Sequence, residues 1–216
     1  MPEITREEMS AQFLLAEYAA LQSRANHYEE IKSKRVNFFL VIAASIGAIG
    51  SAIIKEKIFP NHTYEVITVL SVFALLLGGL TLRMLISYSI AVVVFYRRAA
   101  RVRRWFVDKD RMLQKYVAFE FNDDRPTFTT QQDVLYWRGA ESILLLLNSV
   151  ATISIVLSIL FRYTSNVCLV ALTIIVFGII SWCLQLFYTQ KKLEEAEISE
   201  WAINSVYFPT AITAED

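Results

Sequence analysis

The chain has 216 residues, of which 55% are hydrophobic and 19% charged, with a mean hydropathy of +0.41. A soluble domain averages about 45–50% apolar and about 25% charged residues, so this composition leans away from a water-soluble globule. Its 21 basic and 21 acidic residues cancel to a net charge of +0, which argues against a general nucleic-acid binder. The 6 glycines and 4 prolines exclude collagen-like, linker-rich or disordered designs.

At the N-terminus, Thr5-Arg6-Glu7-Glu8 reads as a capping box, with Ile4 and Met9 spaced as a hydrophobic staple, and predicts a helix start. No breaker follows before Lys55. Leu14, Tyr18, Leu21, Ala25 and Tyr28 recur at alternating four- and three-residue steps, an apolar stripe of coiled-coil spacing. Between Arg35 and Lys55 lie 19 uncharged residues, close to the ~20 that a bilayer-spanning helix needs. Eight of the ten residues from Ala43 to Ala52 are small, among them Ala44, Gly47 and Ser51. Gly78 and Gly79 stand at comparable depth on the second span. Small residues let membrane helices approach closely. Packing within the first hairpin accounts for them, and their number predicts a second contact as well, between protomers or with the third and fourth spans.

The second apolar block runs from Val66 to Tyr96, 31 residues interrupted only by Arg83. With the connector Lys55–Glu65 at the outer surface, Arg35 and Arg83 reach the inner interface together, where long side chains snorkel. Met84–Tyr96 then continues outside the membrane as an apolar helix that must bury a face. Placing Arg83 in mid-membrane is the disfavoured alternative, because of its desolvation cost. Folding the first helix against the second about the connector pairs residue i with about residue 120 − i. Tyr28 is then expected near Val92–Val94, and Leu14 near Trp105-Phe106. Intramolecular packing is the preferred use of the stripe, with self-association second.

The block then ends in YRRAARVRRWF, Tyr96–Phe106. On a helix, Arg97, Arg101 and Arg104 share one face, with Arg98 and Trp105 on the neighbouring one. One reading is orientation in the membrane plus pairing with acids such as Glu17. The other is a site for a polyanion or an acidic partner surface, since guanidinium groups make paired bonds to phosphate and carboxylate. Arg97 stands 14 residues beyond Arg83, about 21 Å along a helix. Lipid charge is screened within about 8 Å, so a soluble ligand or protein is favoured over a headgroup.

Phe119–Thr129 contains Asn-Asp-Asp-Arg-Pro and reads as a loop. Thr129 or Thr130, with Gln132 and Asp133, is placed to cap a helix that runs through Tyr136-Trp137 into a third span, the 20 uncharged residues Ser142–Phe161. A fourth follows in the 28 uncharged residues from Tyr163 to Gln190. Beyond it, the helix is expected to continue to about Val206, with Leu193, Ile198 and Trp201 meeting Val134 and Trp137. Asn148, Thr152 and Ser158 on the third span, with Thr173 and Gln185 on the fourth, are read as interhelical hydrogen-bond partners before pore lining. Cys168 and Cys183 lie 15 residues apart on one helix, about 22 Å, too far for a disulfide.

Ten of the basic residues fall between Arg97 and Arg138, while the two short connectors hold only Lys55, Lys57 and Arg162. The positive-inside rule puts both termini and the central segment in the cytoplasm. There are two histidines, His27 and His62, and no metalloprotease, serine-hydrolase or phosphate-loop motif. An enzyme, a metal site and a cofactor are therefore not expected. Asp108-Lys109-Asp110 and Asp123-Asp124 read as solvated loop acids.

The run AEYAALQSRANHYEEIKSKRVNFFLVIAASIGAIGSAI, residues 16–53, resembles the start of SLATT-type bacterial proteins. The basic-aromatic helix after the second span is similar too, and spans three and four resemble those of four-helix membrane effectors encoded beside bacterial nucleotide-signalling and defence genes. The resemblance implies a module that oligomerises and damages or gates the inner membrane when a partner detects infection. It carries over no functional residue.

The expected fold is all-α, an integral membrane protein with four transmembrane helices in two hairpins and cytoplasmic helical extensions. Residues 1–118 would form the first half, 119–129 a loop, 130–208 the second half and 209–216 a disordered tail. The expected function is a homo-oligomeric effector or membrane-sensing subunit of an antiviral defence system in the bacterial inner membrane. Its partners would be the lipid bilayer, further copies of itself, and a cytosolic protein or anionic ligand, with no nucleic acid. Alternatives are a non-conductive scaffold recruiting a cytosolic partner and, behind it, a small transporter or lipid-modifying enzyme.

Overall fold

The computed structural model describes residues 5–119, 121–128, 140–163 and 166–203, the side chains of 140 and 200–203 excepted. Four α-helices and no strand occur among the described residues: α1 (Arg6–Glu56), α2 (Thr63–Lys109), α3 (Ala140–Leu160) and α4 (Val167–Ile203), with a 3-10 turn at Arg111–Lys115. Each helix contains a stretch long and apolar enough to cross a membrane. Ile4, the expected cap at residues 129–133, Val134, Tyr136-Trp137 and the tail lie outside the described residues, as does the side chain of Trp201.

Helix starts follow local side-chain chemistry. Glu8 N–H donates to Thr5 Oγ1 at 3.2 Å, while Thr5 N–H donates to Glu8 Oε2 at 2.7 Å. This reciprocal cap satisfies two donors that a helix N-terminus otherwise leaves open. The two hydrogen bonds from Thr5, first from its backbone and then from its hydroxyl, hold the Glu8 carboxyl below the usual carboxylate range. Lys57 adopts a left-handed φ of 48° just past the end of α1, the conformation that commonly closes a helix C-terminus. Asn166 Oδ1 accepts from Cys168 N–H at 3.0 Å and caps α4.

The chain divides into two compact units. One, the extension unit, comprises the described residues within 1–31, 87–130 and 193–216. The other, the span unit, comprises those within 32–86 and 131–192.

In the extension unit the α1 stripe meets α2. Leu21, Ala99 and Val102 are buried together, with Leu14, Tyr18, Phe95 and Phe106 against them. Ala25, Ala99 and Ala100 are fully buried, and their small side chains allow the two helix surfaces to approach closely. The Tyr28 ring sits 5.7 Å from Tyr88 and 5.6 Å from Phe95, bracketing the position expected for it. Arg103 Nη1 donates to the Tyr18 hydroxyl at 3.3 Å, and Lys109 pairs with Glu7 at 2.9 Å. The stripe is thus occupied within one chain.

In the span unit α3 supplies the centre. Leu144, Leu145 and Asn148 are among the largest fully buried side chains. Asn148 Nδ2 donates to Gln185 Oε1 at 3.0 Å, and Gln185 Nε2 donates to the Ser181 carbonyl at 3.1 Å. Thr152 and Ser181 hydroxyls share a hydrogen bond at 3.1 Å, and those of Thr68 and Ser158 share one at 2.6 Å. These polar groups join helices to one another, as expected of them. Thr173 instead bonds the Leu169 carbonyl of its own helix at 2.8 Å. Lys32 and Glu141 form a half-buried ion pair at 2.8 Å, and Arg162 pairs with Glu65. Only 11% of the apolar stretch of α1 is buried, and none of that of α4.

Candidate functional site

The arginine-rich end of α2 belongs to the extension unit, where most of its guanidinium groups are used internally. Arg97 is 4% exposed. Its Nε donates to the Pro126 carbonyl at 3.0 Å and its Nη2 to Glu197 Oε1 at 2.5 Å. Its guanidinium carbon lies 4.5 Å from the centre of the Phe128 ring. Glu197 also accepts from the Phe128 N–H at 3.0 Å, so one carboxylate ties α2, the loop and α4 together. A buried charge is tolerable only when paired and hydrogen-bonded in this way.

Arg101 Nε reaches Asp123 Oδ2 at 2.6 Å, and that aspartate is 1% exposed. Arg104 pairs with Asp108 one turn on, at 2.8 Å, and its guanidinium carbon lies 5.4 Å from the Phe121 ring centre. Arg98 is exposed. Trp105 sits edge-on to Phe106 at 4.9 Å, with the Lys109 ammonium 5.8 Å from its ring centre. The acids paired with Arg97, Arg101 and Arg104 are thus Glu197, Asp123 and Asp108, while Glu17 is exposed on α1. These pairs turn the expected polyanion face of the helix into the frame of the loop 121–128.

What this frame leaves open is a cavity of 680 Å³ beside it. Gln22 and Asn26 of α1, Tyr96 and Arg103 of α2, and Phe119 and Arg125 of the loop are among its lining residues. The sequence pattern misses this set because Arg103 lies on neither of the two helix faces it highlights, and Phe119 and Arg125 are aperiodic loop residues. The available signal was the density of arginine and aromatic residues from 96 to 125.

The loop acids are equally committed. Asp110 Oδ1 accepts from Met112 N–H at 2.9 Å and caps the 3-10 turn. Among the described residues no group of three or more His, Cys, Asp or Glu side chains is arranged to hold a metal ion.

The small residues of the spans divide into two classes. A Cβ built on Gly78 would lie 1.7 Å from Asn148 Oδ1, whereas one on Gly47, Gly50 or Gly79 meets nothing within 4 Å. Ala44 and Ser51 are exposed. Packing within the first hairpin therefore does not account for Ala44, Gly47, Ser51 and Gly79, whereas Gly78 is used inside the chain, against Asn148. Gly47, Gly50 and Ser51 instead border a 520 Å³ groove whose other walls include Ala74 of α2 and Ala151 of α3. No protein-family model, curated protein or solved structure matches this chain.

Proposed function

We propose that this protein is an oligomeric inner-membrane effector, or membrane-sensing subunit, of a bacterial antiviral defence system, and that it acts by perturbing or gating the membrane. The carrying observation is the uncovered apolar surface: the open positions at Gly47, Gly50 and Gly79 and the outer face of α4, where Leu172, Ile175, Ile179 and Leu184 are exposed. Close-approach faces of this kind suit helix association between copies within a bilayer. Helices of 51 and 47 residues contribute to both units. The defence context comes from the resemblance of residues 16–53 to SLATT-type proteins. Both termini are assigned to the cytoplasm by the arginine and lysine distribution.

A non-conductive scaffold is the second reading. It is favoured by one observation: Asn148, Thr152, Ser181 and Gln185 bond to one another, so these polar side chains serve to join α3 and α4. Reconstitution into dye-loaded vesicles separates the two. Leakage that rises with protein density and is lost in Gly47→Leu supports the effector; intact vesicles at every density, with the protein oligomeric and folded, support the scaffold.

A further inference from the structure

We propose that the cavity in the extension unit binds a soluble nucleotide, with the phosphate on Arg103 and Arg125 and the base against Phe119. Its volume of 680 Å³ falls within the ~300–1,000 Å³ typical of small-molecule sites. The described residues that line it include two arginines, two aromatic residues and two carboxamides, and none of them is acidic. Each class suits one part of a nucleotide. A planar guanidinium grips phosphate through paired charge-assisted bonds. An aromatic face stacks on a base, and carboxamides both donate to and accept from a base edge.

Two features mark the site as built. Phe119 is 68% exposed, an aromatic ring held at the surface on the rim of the cavity. Its ring centre lies 5.6 Å from the Arg103 guanidinium, which also lies 5.8 Å from the centre of the Tyr18 ring. The guanidinium is thus held by two aromatic contacts and by its bond to the Tyr18 hydroxyl before any ligand arrives. The loop bearing Arg125 is fixed on both sides, by Arg101 to Asp123 and by Arg97 to the Pro126 carbonyl. Preorganisation of this sort lowers the ordering cost of binding.

Position favours a soluble ligand over a lipid headgroup. With Arg83 at the inner interface, as the sequence leads one to expect, Arg103 lies 20 residues further along α2, about 30 Å at helical rise. That is several times the ~8 Å over which lipid charge is felt. The inference stands independently of oligomerisation and conductance.

The test is isothermal titration of the full chain in detergent with ATP, GTP and cyclic AMP, with inorganic phosphate and adenosine as controls. Variants Arg125→Gln and Phe119→Ala are chosen because both side chains are exposed, and circular dichroism melting verifies their folding. Saturable binding of at least one nucleotide is expected, weakened about tenfold by Arg125→Gln and severalfold by Phe119→Ala, with phosphate and adenosine each binding far more weakly. Absence of binding by all three nucleotides overturns the proposal, as does binding that neither variant alters. Phosphate binding as tightly as the nucleotides removes the base from the site and overturns it equally. Loss of nucleotide binding in nanodiscs containing phosphatidylglycerol, when binding persists in uncharged ones, would assign the cavity to a headgroup instead.

Discussion

Gly78 of α2 gives up the volume of a side chain to the carboxamide of Asn148 on α3. The Asn148 oxygen stands 1.7 Å from the place a Cβ would take. The orientation is fixed by a chain of donors. Gln185 must turn its Nε2 to the Ser181 carbonyl, which accepts only. Its Oε1 therefore faces Asn148 Nδ2, and Asn148 Oδ1 is left directed at Gly78 with no conventional donor. A glycine Cα–H is the group that faces it, a weak hydrogen bond of a kind common where helices approach closely.

Gly78→Ala is therefore expected to lower stability by about 1–3 kcal/mol, the usual range for overpacking. Gly79→Ala, with open space around it, is expected to be neutral in the monomer. Unfolding in mixed micelles measures both; equal stability of the two variants would contradict the assigned packing.

Asn148 and Gln185 should behave as a unit. Asn148→Leu leaves Gln185 with a buried acceptor unmet, and Gln185→Leu does the same to the Asn148 amide. A double-mutant cycle is expected to return a coupling of about 0.6–1.7 kcal/mol, the span measured for hydrogen bonds between membrane helices. Strict additivity would show that the two side chains do not bond.

Arg97→Lys is predicted to destabilise the extension unit by about 1.5–3 kcal/mol, because a lysine cannot keep both the Glu197 and Pro126 bonds. Arg98→Lys, at an exposed position, should change nothing. A combined lysine replacement of Arg97, Arg101 and Arg104 would therefore lose function through folding and reports nothing about ligand binding. Thermal melts of the single variants distinguish these outcomes.

The Glu8 cap makes a pH prediction. Its folded pKa is lowered by the Thr5 hydrogen bonds, so its stabilising contribution is present above the unfolded carboxyl value of about 4.3. It is lost as pH falls through the lower folded value. Carboxyl carbon NMR of Glu8 should titrate below the usual glutamate midpoint, and Thr5→Ala, which keeps the backbone donor and removes only the hydroxyl, should bring it part of the way back.

Topology is tested with single cysteines in a Cys168→Ala, Cys183→Ala background. A cysteine at Asn61 should label from outside intact cells, and one at Gln114 or Ser199 should not. Outside labelling at Gln114 would reverse the orientation.

Periodic features were legible in the sequence. The four apolar helices follow from uninterrupted hydrophobic runs, and the Thr5 cap from residue types at fixed spacing. The pairing of Tyr18 with Arg103 follows from a hairpin whose partners sum to about 120. Aperiodic features were not. Arg97 finds Glu197 because α4 returns to the extension unit, and no local pattern encodes a partner 100 residues away. Likewise, the fate of Gly78 and Gly79 depends on a rotation of one residue about the helix axis, which decides whether α3 or open space lies opposite. The cavity escaped notice because its lining comes from α1, α2 and a loop together.

The bond from Arg97 to Glu197 sets an order on biosynthesis. A ribosome that has made α1 and α2 has already committed the arginine to an apolar neighbourhood, yet its counter-charge is encoded 100 codons later. The apolar helices can form as they emerge, but the extension unit waits for the last of them. Translation arrested before Leu193 would yield a chain with its apolar helices intact and Arg97 without its carboxylate. Proteases that survey newly made proteins would meet that chain with the seam of its extension unit still open.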